Sequence, residues 1–350
     1  MKAAKIIGYV AWFMGCFTLA VLFTFPLDGI KPLFVGEAEK LLGKGKQGAH
    51  GVDPEVTVGS LRMSGLGIKA TRVHVRLGNP EPEPGPEIDI DSIWVSASLL
   101  SAVSTNKTLQ LQVALYGGDL DAELTVDDKR NVVELDAEID GVDLGKVPLL
   151  IAKLGVPVEG TIDADIELDM GKQPEKDATG HIDLDVKGLA LGIGQLSVPG
   201  VPGGFNLVEG VKLGSLKGRV PVKQGLGTIE VLKLDGATDI EAEIIGTINV
   251  KARPQLSRLD ADGWFRPQAA FLDKNVAFKS AIEIGEQFSL PGAPSLGKAK
   301  DDDGRYHFQA KGALATLRPQ LAKDAGKKAK SRAGKGTGAA VEEPAAKAED

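Results

Sequence analysis

From residue 161 to residue 170 apolar and acidic side chains alternate without a break. Ile162, Ala164, Ile166, Leu168 and Met170 hold one phase, and Asp163, Asp165, Glu167 and Asp169 hold the other. A repeat of two sorts side chains onto opposite faces of an extended strand, whereas a helix would smear both sets around its circumference. The segment is therefore a strand with one apolar and one solvated acidic face. The same alternation returns at 109–113, 120–126, 133–139, 182–186 and 248–252, with Ile182, Leu184 and Val186 forming the apolar phase of one of these. About ten to fourteen such strands of ordinary length fit between residues 56 and 314. Short turn signals separate them, among them Gly117-Gly118, Asp127 to Asn131, and Gly171 to Thr179. Sequential neighbours are thus expected to pair as a meander of hairpins.

A sheet of that size must curl, close or stack on itself to hide its apolar side. The expected fold is mainly β, a large curled antiparallel sheet that is either an open groove or a filled sandwich. Alternation is the same in both. In either case the seven residues Ile162, Ala164, Ile166, Leu168, Ile182, Leu184 and Val186 mark its apolar face, as core or as a lipid surface.

Residues 6–25 contain no charged side chain, a run of 20 positions. As a helix it reaches about 30 Å, the thickness of one hydrocarbon core. Ile6, Ile7, Val10, Trp12, Phe13, Phe17, Leu19, Val21, Leu22, Phe23 and Phe25 are the expected anchor. Lys2 and Lys5 precede it with no acid between, so the positive-inside bias leaves the N-terminus in the cytoplasm and sends the bulk across the membrane. A cleaved signal would carry a shorter apolar stretch. Met14-Gly15-Cys16 is a weak match to a lipoprotein site, since Phe13 stands where Leu is usual, and Cys16 reads as a membrane-buried residue. After the span (1–26), residues 27–50 read as a short amphipathic helix and linker, with Leu33, Phe34, Ala38, Leu41 and Leu42 at helical spacing. Residues 51–320 form the β-domain, and 321–350 a charged tail rich in Ala, Gly, Lys and Glu, expected to be disordered. Within the β-domain, 144–154 reads as a helical interruption that plugs an end of the sheet.

The chain offers few groups for chemistry. One Cys in 350 residues leaves no disulfide framework and no thiolate zinc module. His50, His74, His181 and His307 are scattered, none sits in a nucleophile signature, and His74 and His181 read as surface-facing. A net charge of −7 with 5% aromatics offers no field for phosphates and little to stack bases on, so nucleic acid is not an expected partner. Carboxylates at i and i+2, such as Asp163/Asp165 and Asp183/Asp185, read as solubility and edge protection. Asp301-Asp302-Asp303-Gly304 lacks the spacing of a calcium loop and reads as a turn. No catalytic, cofactor or metal residue is expected, and the chain reads as non-enzymatic.

The order of features carries a resemblance. An N-terminal span, then Phe25-Pro-Leu-Asp-Gly-Ile-Lys-Pro-Leu33, Val56-Thr-Val-Gly-Ser-Leu61, Gly67-Ile-Lys-Ala-Thr-Arg-Val73, Ile88-Asp-Ile-Asp-Ser-Ile-Trp-Val95 and Gly117-Gly-Asp-Leu-Asp-Ala122 resembles the opening of AsmA-like envelope proteins. Among them it is most similar to the type II secretion system protein N (GspN) group in its longer deltaproteobacterial form. Gly-initiated strands at Gly160, Gly180, Gly214 and Gly246 extend the likeness. The resemblance implies a single-pass bacterial inner-membrane protein with a periplasmic β-domain, accessory to the machine that exports folded proteins. Its implied partners are the inner membrane and other secretion subunits. The alternative it implies is a lipid-binding or lipid-transfer groove for phospholipid. It supplies no catalytic residue.

Overall fold

The computed structural model describes residues 29, 31–42, 54–76, 87–98, 106–128, 131–196, 205–251, 256–287, 295–314, 317 and 319–322. The apolar run at 6–25, with Cys16 and the anchor residues, lies outside these, as does the tail from 323 onward. Among the described residues no helix is long and apolar enough to cross a membrane.

The protein is mainly β. A helix, α1 (Lys31–Leu42), precedes eight strands: β1 (Glu55–Ser64), β2 (Gly67–Arg76), β3 (Glu87–Ala97), β4 (Lys107–Leu115), β5 (Gly118–Val126), β6 (Val132–Asp143), β7 (Val158–Asp169) and β8 (Thr179–Leu191). A small hairpin, β9 (Gly194–Leu196) with β10 (Phe205–Leu207), interrupts the series. It resumes with β11 (Val211–Lys223), β12 (Leu226–Asp235), β13 (Ile240–Asn249), β14 (Arg258–Pro267), β15 (Tyr306–Ala313) and β16 (Pro319–Leu321). Apart from the β9–β10 excursion, every strand pairs antiparallel with its neighbours in sequence, giving one 14-stranded sheet with β1 and β16 at its edges.

The turns explain the meander. Tyr116 and Gly117 form a two-residue loop with φ of 53° and 80°, the doubly positive geometry whose twist matches the flanking strands. Gly118, expected in that turn, instead begins β5, where a Cβ would fall 2.4 Å from the carbonyl oxygen of Asp140. Gln224 and Gly225 repeat the arrangement between β11 and β12.

Several expectations shift. The alternation at 248–252 stops at Asn249; Val250 turns inward to join Leu168, Met170, Ala178 and Val222 in a small core that closes one end of the sheet. The interruption at 144–154 is a turn of 3-10 helix (Leu144–Lys146) and α2 (Pro148–Leu154), with Pro148 at a position that needs no N–H partner. It reaches back to β3, so the sheet coils enough to bring β3 near the β6–β7 connection. A single turn, α3 (Pro174–Asp177), joins β7 to β8. Three helices not expected from the alternation lie between β14 and β15: α4 (Ala269–Lys274), α5 (Val276–Gln287) and α6 (Leu296–Ala299). They enclose the largest core cluster, in which Phe271 meets Phe278 edge-on at 5.2 Å and Leu207 and Val211 are fully buried. Buried Asn275 ties this layer to β10 by accepting the N–H groups of Val208 and Glu209 at 3.2 and 3.1 Å.

Helix α1 departs from its expected packing. Phe34, Val35 and Ala38 pack on the apolar side of β1 to β3, but Leu33 is 68% exposed and Glu39 is buried.

Candidate functional site

Cross-strand register places the predicted apolar residues together. Ile162 faces Val186, Ala164 faces Leu184, and Ile166 faces Ile182 across β7 and β8, with Leu168 opposite Gly180. The row continues in both directions: Leu61, Ala70, Ile93, Val113, Leu120, Ile139, Ala164, Leu184 and Gly218 stand opposite one another in turn from β1 to β11. Eight strand spacings make this stripe about 38 Å long.

The cover over the stripe is uneven. Helix α1 seals it over β1 to β3, and the α4–α6 layer packs beside β11 and β15. Between them, no residue of β4 is buried, and in β5 no side chain is, although both strands present Leu and Val on the apolar phase. The only other sheet among the described residues is the two-stranded hairpin. Where α1 ends its cover, a cavity of about 410 Å³ opens between Phe34, Met63, Leu66, Ile68, Ile93 and Leu109.

The opposite face is acidic. Three carboxylate pairs stand directly opposite across β5 and β6 (Asp119/Asp140, Asp121/Glu138, Glu123/Asp136). Three more oppose across β6 and β7 (Glu134/Asp169, Asp136/Glu167, Glu138/Asp165), and two across β7 and β8 (Asp163/Asp185, Asp165/Asp183). Like charges directly opposite destabilise a sheet. Among the described residues, cations answer them along one flank: Lys187 Nζ lies 2.6 Å from Asp163, Lys217 Nζ 3.0 Å from Asp185, and Arg219 Nε 3.4 Å from Asp183. Lys187, and after it the N–H of Gly141, holds the Asp163 carboxyl below the usual range. These carboxylates lie on central strands, so edge protection is not their role.

His181 sits within this face. Its Nε2 lies 3.1 Å from Asp165 and 3.8 Å from Asp183, and its Nδ1 3.6 Å from Glu167. Asp165, His181 and Asp183 can each aim one ligand atom at a common point, a donor set suited by type to a divalent cation. Linear spacing hid this grouping, because strand pairing alone brings 165 and 181 together. His74 also finds a carboxylate, with Nδ1 2.7 Å from Asp89. His307 Nε2 lies 2.8 Å from Asp301, whose other oxygen accepts the N–H groups of Asp303 and Arg305 in the expected turn.

No family model matches this chain, and no curated protein or solved structure matches it.

Proposed function

We propose that the protein is a non-enzymatic component of a bacterial envelope whose apolar sheet face receives the acyl chains of phospholipid. The observation that carries this reading is the run of half-buried aliphatic side chains on β4 and β5, over which no second sheet lies among the described residues. Apolar area left out of a core is stabilised by an apolar partner, at roughly 25 cal/mol for each Å² removed from water. The AsmA-like resemblance and the apolar run at 6–25 agree with a groove held at the inner membrane, with the N-terminus cytoplasmic and the sheet periplasmic.

The test is gentle extraction of the full-length protein followed by native mass spectrometry. Phospholipid should co-purify at about one or more per chain, and Val113→Asp with Leu120→Asp should abolish it while the fold persists, because neither side chain belongs to a buried cluster. Lipid-free parent protein would overturn the reading.

A second reading makes the protein an accessory of type II secretion that docks other subunits. It is favoured by the far edge of the sheet, where β15 is paired on its outer side over three residues, Phe308 to Ala310, among those described. Unpaired backbone at an edge accepts a partner's strand. Recovery of secretion subunits with the protein, and impaired exoprotein export without it, would support this reading; normal export would count against it.

A further inference from the structure

We infer that the tip of the β1–β2 hairpin, together with the start of α1, rests on an anionic phospholipid bilayer and forms the portal through which an acyl chain reaches the groove. This rests on the groove reading above and names where the lipid comes from.

The direction of α1 locates the membrane end. Lys31 Nζ donates to the carbonyl oxygen of Gly59 at 2.8 Å, while Glu39 accepts from the N–H of Val56. Helix and strand therefore run antiparallel, and α1 begins toward the hairpin tip. The apolar run ends at Phe25, six residues before Lys31, a reach of at most about 20 Å. The 410 Å³ cavity opens at this same end, with Met63, Leu66 and Phe34 among its walls.

Two leucines mark the contact. Leu66 occupies the two-residue turn, a place where polar or turn-forming residues are favoured, and it is 64% exposed. Leu33, on the first turn of α1, is similarly exposed. Such side chains gain by entering the acyl boundary.

Charge selects the lipid. Arg62 stands directly opposite Lys69, which in turn faces Trp94, and the sequence contains no Asp or Glu from Val56 to Pro80 in a chain that has 48 of them. Neither Arg62 nor Lys69 has an ion pair among the described residues, and two opposed cations are relieved by anionic headgroups. Trp94 donates from Nε1 to the carbonyl oxygen of Ser64 at 3.0 Å, fixing an amphipathic ring at the base of the turn.

The test places an environment-sensitive fluorophore at Leu66→Cys in a full-length Cys16→Ser background. The protein is reconstituted in nanodiscs of phosphatidylcholine with phosphatidylglycerol, and uptake of a nitrobenzoxadiazole-labelled phospholipid is followed in parallel. The probe should report an apolar site and be quenched by brominated lipid. Arg62→Glu with Lys69→Glu should move it into water and slow lipid uptake on the order of tenfold. A probe in water with lipid uptake intact would overturn the portal and leave the groove standing. A probe in the bilayer with no lipid taken up would overturn both. Unchanged circular dichroism of each variant separates these outcomes from misfolding.

Discussion

The carboxylate of Glu39 accepts a hydrogen bond from the backbone N–H of Val56, 3.3 Å away, on the outer side of edge strand β1. Glu39 is 8% exposed, an unusual place for an acid, and Lys31 satisfies the Gly59 carbonyl on the same strand. Helix α1 thus takes up two backbone groups of the edge strand that another chain would otherwise use.

Glu39→Ala removes this cap and leaves a buried N–H unpaired. A loss of about 1–3 kcal/mol is expected in denaturant unfolding, together with concentration-dependent self-association on size exclusion. Glu39→Gln keeps an acceptor oxygen and should recover most of both.

Asp163 pins the irregular register between β6 and β7. It accepts from the N–H of Gly141, whose φ is 65°, at 2.8 Å and from Lys187 at 2.6 Å. Asp163→Ala should cost about 1 kcal/mol at neutral pH, since the site is partly solvated. The carboxyl is depressed in the folded state, so its contribution is present above the unfolded value near pH 4 and fades as pH falls through the lower folded value. Unfolding midpoints of Asp163→Asn and parent should accordingly converge in strong acid; a gap that stays constant from pH 6 to strong acid would contradict the assignment.

Tyr306 joins the helical layer to the sheet. Its hydroxyl donates to Glu286 at 2.5 Å, and Lys300 reaches the same carboxylate at 2.6 Å. Burial, then the bond to Glu286, pushes the phenol up to about 12. A raised folded value means the stabilisation is complete below the unfolded value near 10 and is lost as pH rises toward 12. Tyr306→Phe should be less stable by about 1–3 kcal/mol at pH 8 and should lack this alkaline slope in denaturant titrations.

The eight opposed carboxylate pairs predict a response to salt. Raising sodium chloride should screen them and increase the thermal midpoint by a few degrees, roughly 1–3 kcal/mol. Glu138 faces both Asp121 and Asp165, so Glu138→Gln should stabilise at low salt and blunt the salt effect in calorimetry. A midpoint insensitive to salt in both proteins would mean that the flanking cations already neutralise the face.

Alternation made the strands legible. Residues 161–170 announced β7 and its two faces, and Ile162, Ala164 and Ile166 meet Val186, Leu184 and Ile182 as their phase requires. Of helices α4 to α6, α5 does carry a local signal, Phe278, Ala281 and Ile282 at helical spacing; what no local period reports is that these residues pack with a hairpin at least 60 residues earlier in the chain. Spacing puts Leu33 on the apolar side of α1 and Glu39 among its polar residues, yet Leu33 is exposed and Glu39 buried, since spacing fixes a helix face but not the neighbour it meets.

The order of residues by itself determined that the chain makes a long antiparallel meander with one aliphatic and one charged face, because side-chain direction in a strand is a local consequence of its period of two. Tertiary structure decided what those faces can do. Register set eight carboxylate pairs in opposition and put His181 among them, coiling brought α2 back to β3, and the placement of α1 and the α4–α6 layer over other strands left the apolar side chains of β4 and β5 only half-buried. Each of these depends on which distant segments come together, a matter of long-range packing rather than local pattern.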